Sequence, residues 1–181
     1  MRIAPDDMPG LAVLEPRRFP DERGWVQQAW VASTLAAAGI PAEFRQSLLS
    51  SSRRGVVRGL HFQWAPPQGK LVRCVHGAVL DVVVDVRRGS PTFGKWDGVE
   101  LSAENHRQLW IPPGFAHGFL VLSAVADFLY KTTDYYSPAD ERAMRWDDPD
   151  IGIRWPLATL PGLSHRDAAA PLLRETAAFP L

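Results

Sequence analysis

With a single cysteine, Cys74, this chain of 181 residues cannot close an internal disulfide, and the apolar stretch around that residue marks a buried, inert thiol. No apolar run approaches the ~18 residues that a membrane span requires, and the N-terminus lacks the apolar core of a signal peptide. A cytoplasmic, reducing location is the expectation. Net charge is also missing: 20 Lys and Arg offset 20 Asp and Glu, and the basic residues are scattered. That distribution gives no reason to expect nucleic acid or an anionic membrane as partner, and it leaves a small ligand. No internal repeat or low-complexity segment is present. The length suits one domain over residues 1–181, with a tail from about residue 160 packed or draped on it.

What is present is a series of short strands. Leu80, Val82, Val84 and Val86 alternate with Asp81, Val83 and Asp85, which predicts a strand between a core face and a wet face. Similar runs recur at Leu11–Leu14, Val56–Phe62, Leu71–Val75, Val99–Leu101, Gln108–Ile111, Phe119–Leu122 and Phe128–Thr132, punctuated by Gly and Pro. One helix is expected over Trp30–Ala38, ended by Gly39 and Pro41, and Pro138–Asp148 is expected to form a helical turn or two. Many short strands with few short helices predict an all-β protein, a jelly-roll barrel or sandwich.

Two motifs have the frame of a cupin metal site without its ligands. Gly55, His61, Gln63, Lys70 and Gly77 stand at positions where a first cupin motif carries Gly, His, His, Glu and Gly, and Pro112-x-Gly114-x-x-His117 matches the second. A divalent cation needs several lone-pair donors converging at about 2 Å, and a Lys ammonium has none to offer. The frame therefore predicts no metal, with a fixed positive charge beside two imidazoles: proton chemistry.

The chain resembles the dTDP-4-dehydrorhamnose 3,5-epimerase family from about Phe19 to about Asp167. The residues that carry the resemblance include Phe19-Pro20-Asp21-Glu22-Arg23-Gly24, Arg58-Gly59-Leu60-His61-Phe62-Gln63, Gln68-Gly69-Lys70, Ile111-Pro112-Pro113-Gly114-Phe115-Ala116-His117, Tyr130, Tyr135-Tyr136, Glu141 and Leu163-Ser164-His165-Arg166-Asp167. The resemblance implies a cupin-type jelly roll that epimerises a nucleotide-linked 4-keto-6-deoxyhexose at C3 and C5. It also implies that no metal or organic cofactor takes part, and a homodimer in which an N-terminal strand reaches into the partner.

Removing a proton α to a ketone takes a base, an electrophile for the enolate and an acid on the opposite face. By the resemblance, His61 is the base, Asp167 pairs with it, Tyr130 returns a proton to the other face, and Lys70 lies near the C4 oxygen. His117 is a sugar contact or oxyanion partner, with a structural core histidine as the alternative. Arg23, Arg58 and Arg166 match positions that hold the diphosphate, where a guanidinium fork suits phosphate oxygens. Gln28, Gln46, Tyr136 and Glu141 complete the expected substrate contacts. The chain departs from the family pattern in Gln28 for Glu, in Ser47-Leu48 for Asp-Asn, and in Arg166 for Lys, so the nucleotide or sugar preference is expected to differ. A single-centre epimerase, a 4-keto to 3-keto isomerase, a metal-dependent oxygenase and a non-catalytic sugar binder are the competing readings.

Overall fold

The computed structural model describes residues 1–41, 43–176 and 179–180. In chain order the strands begin with β1 (Arg2–Pro5), β2 (Ala12–Glu15), β3 (Arg18–Asp21) and β4 (Gly24–Gln27), followed by α1 (Ala32–Ala37). The central set is β5 (Gln46–Arg53), β6 (Val57–Gln63), β7 (Lys70–His76), β8 (Ala78–Asp85) and β9 (Arg87–Arg88). Then come β10 (Trp96–Ser102), β11 (Gln108–Ile111), β12 (Phe115–Val121), β13 (Val125–Thr132) and β14 (Glu141–Ala143), with α2 (His165–Ala168) and β15 (Phe179–Pro180) last.

Two facing sheets make a cupin-type jelly roll: a six-stranded sheet ordered β1-β2-β11-β7-β13-β5 and a five-stranded sheet ordered β10-β8-β12-β6-β14. Every pairing in both is antiparallel. Between them lies a core of Val72, Val79, Val83, Leu109, Ile111, Phe115, Phe119, Val121 and Phe128. Phe119 and Phe128 stack across it at 4.3 Å between ring centroids. Fully burying a side chain of this size contributes about 1.5–3 kcal/mol, so the closed end of the sandwich anchors the open one.

The wet face expected for Asp81, Val83 and Asp85 does not exist. All three are buried, and the Val82, Val84 and Val86 face of β8 is covered too, by Met144, Ile151, Trp155, Leu173 and Phe179 of the C-terminal segment. The odd-numbered side chains are the ones that point between the sheets. The outer face of the six-stranded sheet is closed over Leu14, Leu71 and Trp110 by Leu35 of α1 together with Ile40 and Phe44.

Other expectations shift by local chemistry. The helix is shorter than Trp30–Ala38, running from Ala32 to Ala37 with no side-chain cap at Val31. Over Pro138–Asp148 a turn at 138–140 gives way to a strand, β14, which pairs with β6; edge pairing overrides local helical propensity there. The tail is packed: Gly162 bridges Val56, α2 closes one end of the sandwich, and β15 lies parallel to β9. Its residues 177, 178 and 181 lie outside the described ones.

Candidate active site

Strand alternation builds the site. Gln46, Leu48 and Ser50 of β5, His61 of β6, Lys70 of β7, His117 of β12 and Phe128, Tyr130 and Thr132 of β13 all turn into one cavity of about 390 Å³. Arg58, Tyr136, Glu141, Ser164, Arg166 and Asp167 close its remaining walls and rim. The cavity lies between the two sheets of the jelly roll.

Two glycines set the key register. A Cβ on Gly59, whose φ is +115°, would come within 2.6 Å of His117 O and Gly118 Cα, and one on Gly118 would meet Arg58 O at 2.6 Å. The strands touch there, the ladder between β6 and β12 shifts by a bulge, and His117 lands opposite His61. Two imidazoles thus share one wall.

His61 Nε2 is 2.6 Å from Asp167 Oδ1. Asp167 lies on α2, whose Ser164 cap accepts the Asp167 amide at 3.1 Å, so the tail carries the carboxylate to the ring. Burial alone would push the Asp167 carboxyl up; the hydrogen bond and charge of His61, aided by Ser164 and the Gly59 amide, bring it below its ordinary value. It stays ionised and fixes the ring's tautomer. The other ring nitrogen, Nδ1, stands 3.7 Å from Glu141 Oε1, beyond hydrogen-bond range. The second oxygen of Glu141 accepts Tyr136 Oη at 2.7 Å and meets the Arg166 guanidinium.

Lys70 is half-buried on the cavity wall, and its Nζ donates to His61 O at 3.2 Å. Burial pulls its pKa down to about 8, against the opposing charges of Glu141 and Asp81. Tyr130, on the strand beside that of Lys70, faces His61 from the opposite sheet, and its hydroxyl has no hydrogen bond to the described residues. Burial raises its pKa, with Arg58 acting against burial and Glu141 with it, so the phenol keeps its proton near neutrality. His117 Nε2 is 2.9 Å from Asp81 Oδ2 in the floor of the cavity.

A family model described as dTDP-4-dehydrorhamnose 3,5-epimerase matches residues 5–175. The chain belongs to the dTDP-4-dehydrorhamnose 3,5-epimerase family. It is 55% identical over 170 residues to the dTDP-4-dehydrorhamnose 3,5-epimerase of Salmonella typhimurium, covering 93% of each chain. Its structure resembles that of the dTDP-6-deoxy-D-glucose-3,5-epimerase of Legionella pneumophila in complex with dTDP-4-keto-L-rhamnose, with a TM-score of 0.93, 50% identity and coverage of 96% and 93%. It also resembles ChmJ, a 3'-monoepimerase of Streptomyces bikiniensis in complex with dTDP-quinovose, with a TM-score of 0.88, 40% identity and coverage of 94% and 87%.

Of the residues expected at the site of this epimerase-family chain, His61, Lys70, Tyr130, Asp167, Gln46, Arg58, His117, Tyr136, Glu141 and Arg166 come together. Arg23 and Gln28 do not. Arg23 sits at the tip of the β3–β4 hairpin, paired with Asp21 at 2.7 Å, and neither residue lines the cavity of its own chain. Glu141, expected on the nucleotide side, stands beside His61 because β14 pairs with β6. Gln63, in a metal-ligand position of the cupin frame, spends its amide on the backbone: Nε2 donates to Pro66 O and Tyr135 O, and Oε1 accepts from the Ser137 amide. Ser50 and Thr132 carried no sequence signal, and Asp81 carried a misleading one. An acid inside a run of valines was its only clue.

Proposed function

We propose that this protein epimerises a nucleoside-diphospho-4-keto-6-deoxyhexose at C3 and C5, converting dTDP-4-dehydro-6-deoxyglucose to dTDP-4-dehydrorhamnose or a close analogue. One observation carries the reading: His61 and Tyr130 come from opposed sheets and face one cavity, which Lys70 also lines. Inversion needs a base on one face of the sugar and an acid on the other.

In this reading His61 Nδ1 takes the α-proton, since Nε2 is engaged by Asp167. The C–H electron pair moves into an enolate whose C4 oxygen is met by the Lys70 ammonium. Tyr130 then gives its phenolic proton to the opposite face of the carbanion and recovers one from solvent, while His61 releases to solvent the proton it took. A second round at the other α-carbon completes the double inversion. Arg58, anchored by Nε donation to Ser52 Oγ at 2.9 Å, and Arg166 at the rim serve the diphosphate, and Tyr136 offers a ring to the base. The residues present supply base, acid and electrophile without a metal or organic cofactor.

A homodimer completes the site. Among the described residues the β3–β4 hairpin pairs only with itself, and it exposes Phe19, Trp25 and Val26, the last at 67%. Exposed apolar side chains on a free hairpin suit insertion into a second copy, where Arg23 and Gln28 would reach that copy's nucleotide. Mixing Arg23→Ala with His61→Ala protein should restore part of the activity that each lacks if one hairpin serves the other's cavity. No restoration would return Arg23 to its own chain.

Leu48 supports the single-centre reading as the alternative, because it replaces a polar contact on the cavity wall by an apolar one. Proton NMR in deuterated water with dTDP-4-keto-6-deoxyglucose separates the two. Loss of the C3 and C5 proton signals, abolished in His61→Ala, is expected. Loss at one carbon makes it a single-centre enzyme, and none at either moves the search to other nucleotide sugars.

A further inference from the structure

Asp81 neither lines the cavity nor reaches solvent; its exposure is 0%. It nevertheless holds a second histidine–carboxylate pair one strand away from the first. Its Oδ2 is 2.9 Å from His117 Nε2, and its Oδ1, buried, has no hydrogen-bond partner among the described residues. The His117 ring is held from the other side by Phe128, stacked at 6.0 Å. A carboxylate with one donor in a closed interior is a costly arrangement for a merely structural role. It is useful where a fixed tautomer and a fixed charge are required.

Given the epimerase reading above, we propose that Asp81 is a positioning residue of the reaction. Through Oδ2 it fixes His117 as the Nε2–H tautomer, so the ring offers an Nδ1 lone pair to a sugar hydroxyl, and its charge steadies the Lys70 ammonium that meets the enolate. Asp81 attracts both partners, and the attraction runs both ways: His117 and Lys70 work against the burial that pushes its carboxyl up. The charged and titratable groups around Lys70 are His61 from β6, Asp81 from β8, His117 from β12, Tyr130 from β13 and Glu141 from β14. Removing Asp81 leaves Glu141 as the carboxylate that favours the protonated amine.

Nitrogen NMR of imidazole-labelled protein, with His117 assigned by its loss in His117→Asn, reads the tautomer without any substrate. A proton on Nε2 is expected; one on Nδ1 in the wild type overturns the proposal, whatever any variant does. Asp81→Asn should lower kcat on the order of 10²-fold with KM changed only a few-fold, and should move the alkaline limb of the pH–rate profile to lower pH. A purely structural role would lower the active fraction and leave that limb in place. Folded Asp81→Asn with the wild-type kcat and limb sinks the idea. A wild type that exchanges neither C3 nor C5 sinks the epimerase reading instead, and is seen separately.

Discussion

Asp81 and Asp85 are the same residue type on the same face of the same strand, both fully buried, and their surroundings drive them in opposite directions. Asp85 receives Arg87 Nε and Nη2 at 2.9 and 2.7 Å, the Arg87 amide at 3.0 Å, and the Ser90 and Thr92 hydroxyls at 2.6 Å each. Burial raises its pKa, but these donors outweigh burial and take it down to about 2. Asp81 has one donor, and burial wins. Arg87 also lies over the Phe115 ring and reaches Pro9 O, so the Asp85 cluster ties the strand end to the N-terminal segment. A saturated carboxylate belongs to the scaffold, and an under-supplied one belongs to a site that uses its charge.

The largest expected effect separates these regions at the reacting end. His61→Asn should cut kcat by about 10³-fold while leaving the urea midpoint nearly unchanged, as measured by turnover and denaturation of the same preparation. A matching fall in stability would erase the distinction between site and scaffold.

Asp85→Ala should do the reverse. It leaves the Arg87 guanidinium without its counter-charge and should cost about 3–5 kcal/mol in a denaturant titration, with kcat in the folded fraction little changed. Because the folded Asp85 pKa is depressed, its contribution is present above the ordinary value of 3.8 and lost as pH falls through about 2. An acid titration in which wild type and variant lose stability in parallel would contradict this.

A smaller effect sharpens the site side. The Lys70 charge is held below about pH 8 and lost above it, so the rate should fall as pH rises through that value. Lys70→Met should abolish this limb together with most of the activity, read from a pH–rate profile. The smallest effect concerns specificity. Leu48→Asn restores a polar group on the cavity wall and should change KM among nucleotide sugars by about tenfold or less, roughly 1 kcal/mol. Equal KM values for all of them would remove Leu48 from the specificity determinants.

The strands legible in the sequence were those with apolar alternation, such as β7, β11 and β13. β5 was missed because Gln46-Ser-Leu-Leu-Ser-Ser-Ser-Arg53 carries few apolar residues: its inner side faces a wet cavity rather than a core. β14 was missed because three residues pairing with an edge leave no periodic signature. At the site, His61 and Lys70 were readable from motif spacing, and Tyr130 and Asp167 from the family resemblance. The hairpin residues Arg23 and Gln28 stay apart from them in the single chain.

The sequence by itself determined the class of chemistry. A lysine and a glutamine in the positions of metal ligands, with histidine and tyrosine nearby in a β-rich chain, specify proton transfer, because those side chains carry the required protons and charge wherever they are placed. Only the tertiary structure decided which groups act on one another. Two sheets had to close before His61 and Tyr130 faced each other and Asp81 became a buried carboxylate between them, and α2 had to fold back before Asp167 met its imidazole. Hydrogen bonds, burial and the pKa directions that follow from them depend on separations of a few ångström between residues far apart in the chain, and a linear pattern does not contain those separations.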